Sequence, residues 1–334
     1  MNTGITGPSS YGAAMSAFSQ HWLTGNTRLG ATKHIKIGLA DKSEVTQTIF
    51  EDWRTQLQSQ QNTVQAALTV TQIARGNVNV MKEELLAKLG LFTSVLDGYY
   101  QGTGFYEARP YAPTFNDGKE SFLRPMGAMM NLWAAMNAGA APSGVALPLV
   151  LGDATVQGAF ASLLSALMFA FADLEKKELL LAIARGDRNV IQAKAYETMR
   201  QYREVAPDKY ILHPEMIETL PRLSPLPGHT PARVNSSAVF EAPDLTRVTY
   251  DASSDVMLSH YELRGNGGDE YSDEDAIVIA TNEPGDAREF MTNFGLNQAG
   301  AKIALKVYVV LTTGNEAGGG TMIVSRPASV ALAA

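Results

Sequence analysis

The segment Ile73-Ala-Arg-Gly-Asn-Val-Asn-Val80 recurs at an offset of 110 residues as Ile183-Ala-Arg-Gly-Asp-Arg-Asn-Val190, with six identities in eight positions. Further matched blocks follow at nearly the same offset: Trp22 and Asn26 with Trp133 and Asn137, 37–43 with 149–155, and Pro110 with Pro221. Convergent helix-turn chemistry explains the first pair alone, but it does not explain the ordered set. We therefore interpret residues of about 15–113 and 126–225 as a tandem duplication.

Each repeat has the pattern of a helix hairpin. Apolar residues recur at near-helical spacing on both sides of Gly76 and of Gly186. Glycine tolerates the left-handed conformation after a helix, and the next residue, Asn77 or Asp187, is a good cap for a second helix. The sequence thus predicts a duplicated antiparallel helical bundle with an approximate internal two-fold.

Two smaller features complete the predicted bundle. The apolar segments 35–39 and 146–151 predict short accessory strands that pair across the internal two-fold, with Pro148 confining its strand to an edge. Trp22 and Trp133 are predicted core residues, because a buried aromatic ring docks the entry helix of each repeat on the bundle.

The last hundred residues differ in charge and pattern. Residues 234–334 contain 14 acidic and 6 basic side chains, a net charge of −8, whereas residues 1–233 sum to +1. Four prolines between Pro221 and Pro231 predict an extended linker at this boundary. Seven candidate strands follow: 238–240, 247–250, 259–263, 276–280, 287–290, 303–311 and 321–324. This spacing is typical of a two-sheet antiparallel sandwich.

Four motifs in this region carry a family resemblance: Thr249-Tyr-Asp-Ala-Ser-Ser-Asp255, Tyr261-Glu-Leu-Arg264, Gly295-Leu-Asn-Gln-Ala-Gly300 and Gly314-Asn-Glu-Ala-Gly318. With them, residues of about 230–327 resemble a fibronectin type III domain. Two positions depart from the family, since Tyr250 replaces its usual tryptophan and Ile303 stands where its corner tyrosine belongs. The resemblance implies a seven-stranded sandwich used for recognition, spacing or assembly.

The predicted fold class is multidomain α plus β. Its parts are an N-terminal arm, the duplicated helical bundle, a proline-rich linker and the fibronectin type III-like β-sandwich: 1–15, 16–220, 221–233 and 234–334. The arm has few large apolar side chains, so it cannot bury enough surface to order by itself. We expect it to order on a neighbouring subunit.

Composition argues against several kinds of site. The chain has no cysteine, which removes disulfides and thiolate metal sites. A net charge of −7 disfavours nucleic-acid binding, and the longest apolar tract, Leu132–Leu151, is too interrupted to span a membrane. The acidic run Asp269–Asp275 lacks the spacing of a calcium loop and predicts a solvated loop. No catalytic, metal or cofactor motif is present, so we expect no cofactor and no enzymatic activity.

The leading functional hypothesis is a structural protein that self-associates as a homo-oligomer through its helical half and N-terminal arm. The candidate interaction surface consists of Ile5, Tyr11, Tyr99, Tyr100, Phe105 and Tyr106. Two alternatives stay open: a monomeric adaptor that binds a protein or glycan through the sandwich loops and the aromatic segment 99–106, and a hydrolase with a dispersed site. The absence of a visible secretory signal favours the cytoplasm, whereas similar modules in bacteria are often extracellular. Export without a cleaved signal would reconcile the two, so the compartment stays open.

Overall fold

The computed structural model describes residues 7–30, 33–39, 43–241 and 244–327. The chain is α plus β, with helices in the N-terminal part and β-sheets in the C-terminal part, as the sequence predicts. The helices are α1 (Gly7–Leu29), α2 (Gln47–Tyr99), α3 (Gly104–Glu107), α4 (Lys119–Ala138), α5 (Gln157–Lys209) and α6 (Pro214–Glu218).

The predicted helix hairpins are wrong. Helices α2 and α5 each run without a break for 53 residues, and Gly76 and Gly186 lie inside them. A glycine in a helix costs about 0.5–1 kcal/mol of stability relative to alanine. The burial of a continuous row of side chains along one side of each helix outweighs this cost. This buried stripe crosses both glycines at intervals of three, four or seven residues: Ala74, Val78 and Leu85 in α2, and Leu181, Ala184, Arg188 and Ala195 in α5.

The chain divides into two compact units. Unit 1 comprises the described residues of Met1–Gln72 and Leu180–Ala334, and unit 2 is Ile73–Leu179. Unit 1 therefore contains the first part of α2, the last part of α5 and all the C-terminal strands, while unit 2 contains α3 and α4. The boundary expected at the proline-rich segment stays a prediction.

Each unit has a helical core centred on a tryptophan, as predicted. In unit 1, Trp22 lies against Phe50 and Tyr202, with ring centroids 5.9 and 4.9 Å away. In unit 2, Trp133 lies in the same way against Phe160 and Phe92, at 6.1 and 5.6 Å. Both tryptophans are fully buried.

The backbone contacts of the two tryptophans also match. The indole of Trp22 donates to the carbonyl of Ile35, and that of Trp133 to the carbonyl of Leu149, both at 3.2 Å. The amide oxygens of Asn26 and Asn137 accept hydrogen bonds from the backbone N–H groups of the same two residues, at 3.0 and 2.7 Å.

The accessory strands pair locally rather than across a two-fold, so that prediction is wrong. Strand β1 (Ile37–Gly38) pairs with β2 (Glu44–Val45), and Val150 forms a bridge with Val156. In each case the partner follows within a few residues, and closing so short a loop costs little entropy.

The predicted N-terminal arm overlaps α1. Residues 7–15 belong to this helix, and Met15 is buried in the helical core of unit 1. The prediction of an arm without structure of its own is therefore corrected for 7–15, where the chain is helical and Tyr11, Ala14 and Met15 contact the core of unit 1. Ile5, one of the candidate interaction residues, lies outside the described residues.

Eight strands form two antiparallel sheets at the C-terminal end: β3 (Ser236–Glu241), β4 (Leu245–Tyr250), β5 (Leu258–Gly267), β6 (Ile277–Asn282), β7 (Glu289–Thr292), β8 (Lys302–Leu311), β9 (Glu316–Gly318) and β10 (Met322–Ser325). One sheet has the order β3-β4-β7, and the other has the order β10-β8-β5-β6 with β9 also on β8. The sequence predicts seven strands. The additional one, β9, has three residues and ends at Gly318, which gave it the pattern of a loop.

Candidate functional site

Helix α5 carries apolar side chains on a surface that the chain leaves open. In unit 1, Leu180, Ile183 and Val190 are 48%, 52% and 56% exposed. Their spacing of three and seven residues places them on one side of the helix. We refer to these three residues as the α5 apolar face. In unit 2 the same helix exposes Met168 and Phe169.

The apolar composition of α5 also bears on membranes. Among the described helices, α5 alone is long and apolar enough to cross a bilayer, although most of its apolar part is also not buried within the chain. This result rests on length and composition only.

A buried ion pair holds α5 to the strand region within unit 1. Arg188 and Asp275 have side chains that are 2% and 3% exposed, and their Nη1 and Oδ1 atoms are 2.7 Å apart. Arg185 reaches the other carboxylate oxygen at 2.5 Å, and Arg188 also donates to the carbonyl of Glu274 at 2.9 Å. Because both charges are buried, loss of Asp275 would leave Arg188 uncompensated, and loss of Arg188 would leave Asp275 with the half-exposed Arg185 alone.

Helix α2 contacts the same loop through Gln65. Its amide oxygen accepts from the backbone N–H of Gly267 at 3.0 Å, and its amide nitrogen donates to the carbonyl of Asp275. Strand β5 approaches the helix so closely here that a Cβ at Gly267 would lie 2.9 Å from Oγ1 of Thr69. We refer to Gln65, Arg188 and Asp275 as the junction.

The prediction of a solvated acidic loop is correct for Glu270, Asp273 and Glu274, which are exposed, and it is corrected at the junction for Asp275. Asp275 is buried, Asp269 pairs with Lys302 at 3.2 Å, and Tyr308 donates to Asp273. These acidic side chains are held by partners that lie far away in the sequence. Within the described part of the chain, no three His, Cys, Asp or Glu side chains are grouped to hold a metal ion.

The described interaction residues are divided between the two units. Tyr11 packs partly buried against the helical core of unit 1, whereas Tyr99, Tyr100, Phe105 and Tyr106 lie in unit 2. Of these four, Tyr99 is exposed, Tyr100 is buried, and the two residues of α3 are partly buried. Most of the aromatic segment therefore packs on its own unit.

A serine, a histidine and a carboxylate do meet on β5. Ser259 Oγ lies 3.0 Å from Nδ1 of His260, whose Nε2 lies 3.1 Å from Oε1 of Glu262. Glu262 also accepts from Arg264 at 2.6 Å, and the same guanidinium donates to both carboxylate oxygens of Glu316. The hydrolase hypothesis stays a prediction.

Unit 1 contains a buried polar cluster at the end of α5. His21 Nδ1 lies 2.9 Å from the hydroxyl of Tyr202, which lies 2.9 Å from that of Tyr210, and His21 Nε2 lies 2.8 Å from the carbonyl of Met216. Burial lowers the pKa of His21 below its usual value, and the hydrogen bond to the carbonyl of Met216 offsets only part of this effect. Burial raises the pKa of both tyrosines. The cluster is therefore neutral near pH 7.

Sequence reasoning missed the junction, although one signal for it was present. Arg188 stands where the first repeat has Val78, inside the block in which six of eight positions are identical. A charged residue at an apolar position of a repeat indicates a local partner that the other repeat lacks. Gln65 and Asp275 give no comparable signal.

Comparisons with known proteins find similarity over only part of the chain. No family model matches it, and no curated protein matches it significantly. A region covering 30% of the chain is similar to a Fn3-like protein from Clostridium thermocellum, at 20% identity, a TM-score of 0.24 and 96% coverage of that protein. Pectate lyases from Erwinia chrysanthemi and Pectobacterium carotovorum match at 13% and 12% identity, with TM-scores of 0.24 and 0.22. The matches cover 28% and 30% of this chain, and 28% of each lyase.

Proposed function

We propose that this protein is a non-enzymatic structural protein that self-associates through its helical half and displays its β-sandwich as an interaction module. The α5 apolar face is the observation that carries the proposal. A single exposed apolar residue is ordinary on a protein surface, whereas several on one side of a helix are typical of an interaction site. Burying three such side chains against a second copy removes their apolar surface from water.

The charge distribution supports contacts between helical parts. Residues 1–233 carry +1 and residues 234–334 carry −8. Near-neutral surfaces approach each other with little repulsion, whereas strongly acidic modules repel their copies. The helical parts are therefore the favoured contact, and the sandwiches the favoured solvent-facing part.

We also infer that the two helical segments are a tandem duplication. The support is the set of matched contacts: each indole donates to the backbone carbonyl of the residue whose N–H is bound by the matching asparagine. Two copies of one helical unit give the chain two similar surfaces, which suits a protein that builds assemblies.

For the C-terminal region we infer a fibronectin type III-like module over about 230–327. Tyr250, at the position of the family's tryptophan, stacks on Phe290 at 5.1 Å in the core, and Ile303 is fully buried at the position of the corner tyrosine. Both departures from the family thus keep an apolar core residue in place. An N-terminal contribution to assembly is now proposed for residues 1–6 only.

The test is sedimentation velocity of two matched variants. Ile183→Lys places a charge on the α5 apolar face, and Ala182→Lys places the same charge on an exposed position about 100° round the same helix. We expect the first variant to shift towards the monomer and the second to sediment as the wild type does. Equal sedimentation of the two variants would contradict the proposed surface. Monomers that instead float with lipid vesicles would assign the face to a membrane.

A further inference from the structure

The block that repeats at 73–80 and 183–190 places a matched surface on both long helices. In α2, Ile73, Gly76 and Val80 lie at intervals of three and four residues, which puts them on one side of the helix. Val80 is 64% exposed, Gly76 is exposed and Ile73 is partly exposed. We refer to these three residues as the α2 apolar face. It lies in unit 2, whereas the α5 apolar face lies in unit 1.

The two faces have the same residue types at the same spacing. The matching positions of α5 are Ile183, Gly186 and Val190, and all three are exposed. Six of the eight positions of the block are identical in the two helices, but only one of the six, Ala74 with its match Ala184, is buried in both. The block is therefore alike mainly on the side that its own chain leaves open, as two copies of one binding surface would be.

The glycine in each face has no explanation within the chain. A Cβ on Gly76 or Gly186 would meet nothing within 4 Å among the described residues, and glycine inside a helix lowers stability relative to alanine. A glycine on the surface of a helix lets a second helix approach closely, with a larger side chain of that helix in the gap. Ile183 of one copy fits over Gly76 of another, and Ile73 over Gly186, when the two helices approach antiparallel.

The charge of the surrounding helices favours contact between unlike faces. Unit 2 contains 8 basic and 10 acidic side chains, a net charge of −2. The helical part of unit 1, residues 1–72 and 180–233, contains 13 basic and 10 acidic side chains, a net charge of +3. Two α5 faces would bring positive parts together and two α2 faces negative parts, whereas an α2 face and an α5 face attract each other.

We propose that the α2 apolar face of one copy of this protein binds the α5 apolar face of another. The proposal rests on the self-association proposed above and names the second surface that takes part in it. Each copy has one face of either kind, and the contact joins two different faces. Copies therefore add head to tail rather than stop at a pair.

The first test places a charge on the α2 apolar face. Val80→Lys should shift the protein towards the monomer in sedimentation velocity, as Ile183→Lys should, because either charge blocks every contact between an α2 face and an α5 face. If Val80→Lys assembled as the wild type does, the proposal would be overturned, and self-association through α5 alone would stand.

The second test mixes these two variants, with circular dichroism confirming that each is folded. Val80→Lys keeps an intact α5 face, and Ile183→Lys keeps an intact α2 face. An equimolar mixture should form a species of two chains and nothing larger, at concentrations at which the wild type assembles further. A mixture that sediments as monomers would overturn the proposal. A wild type that is itself monomeric would contradict self-association, and the proposal would fall with it.

Discussion

Arg188 occupies a position of α5 that helical spacing assigns to an apolar side chain. The residues before and after it in the buried stripe, Ala184 and Ala195, are small and apolar, whereas Arg188 extends to Asp275. At the scale of single residues, the main effect of this buried charge pair is to fix where the strand region packs on α5. Its net contribution to stability is the smaller effect.

Removal of one partner of this pair should be costly. We expect Arg188→Ala to lower the free energy of unfolding by about 3–5 kcal/mol, because Asp275 would stay buried with only the half-exposed Arg185 beside it. Urea denaturation followed by circular dichroism measures the change. The control, Arg200→Ala, breaks exposed pairs with Glu197 and Glu204 and should cost at most about 1 kcal/mol. Similar losses in both variants would show that the junction is not a buried pair in solution.

The buried histidine predicts a pH dependence. Burial holds the pKa of His21 below its usual value of 6.5 in the folded protein, so the unfolded chain takes up the proton more readily. The free energy of unfolding should therefore fall as the pH drops below about 6.5 towards the folded-state pKa. His21→Leu, which introduces the residue of the second repeat, should flatten this part of the profile, whereas the exposed His34→Leu should not. The measurement is the urea midpoint of the wild type and of each variant at several pH values between 5 and 8. If His21→Leu gave the same dependence of the midpoint on pH as the wild type, His21 would have no part in the effect.

At the scale of elements, the two long helices show what local sequence signals can predict. The apolar spacing of the segments 78–92 and 190–202 correctly indicates helix, and seven strand positions follow from short apolar runs between turns. The signal for a turn at Gly76 and Gly186 is misleading, because it is local. Whether a helix continues through glycine depends on side chains several turns away that the stripe buries.

Substitution of Gly76 and Gly186 distinguishes a continuous helix from a turn at these two positions. Gly76→Ala and Gly186→Ala should each raise the free energy of unfolding by about 0.5–1 kcal/mol, because a Cβ at either position meets nothing within 4 Å and alanine is the better helix former. The control is Gly300→Ala, which also meets nothing within 4 Å but has a φ of +78° and should be destabilised. Destabilisation of the two helix variants in the same thermal or urea assay would indicate turns.

At the scale of the whole molecule, the sequence predicts the fold class, but it does not predict the junction or which apolar side chains are exposed. Composition and periodicity predict α plus β, whereas Gln65, Arg188 and Asp275 meet only through the fold, so no spacing could relate them. The α5 apolar face is hidden from sequence for a similar reason. From the sequence, its apolar residues are predicted to be buried in the core. Only the structure shows which side of the helix is covered by the rest of the chain.

The central claim is self-association through the helical half. Light scattering of the unaltered protein across a micromolar dilution series tests it most directly, because mass is measured without reference to shape. We predict a mass above that of one chain which falls towards one chain on dilution, since apolar association follows mass action. A mass equal to one chain at every concentration would contradict the account.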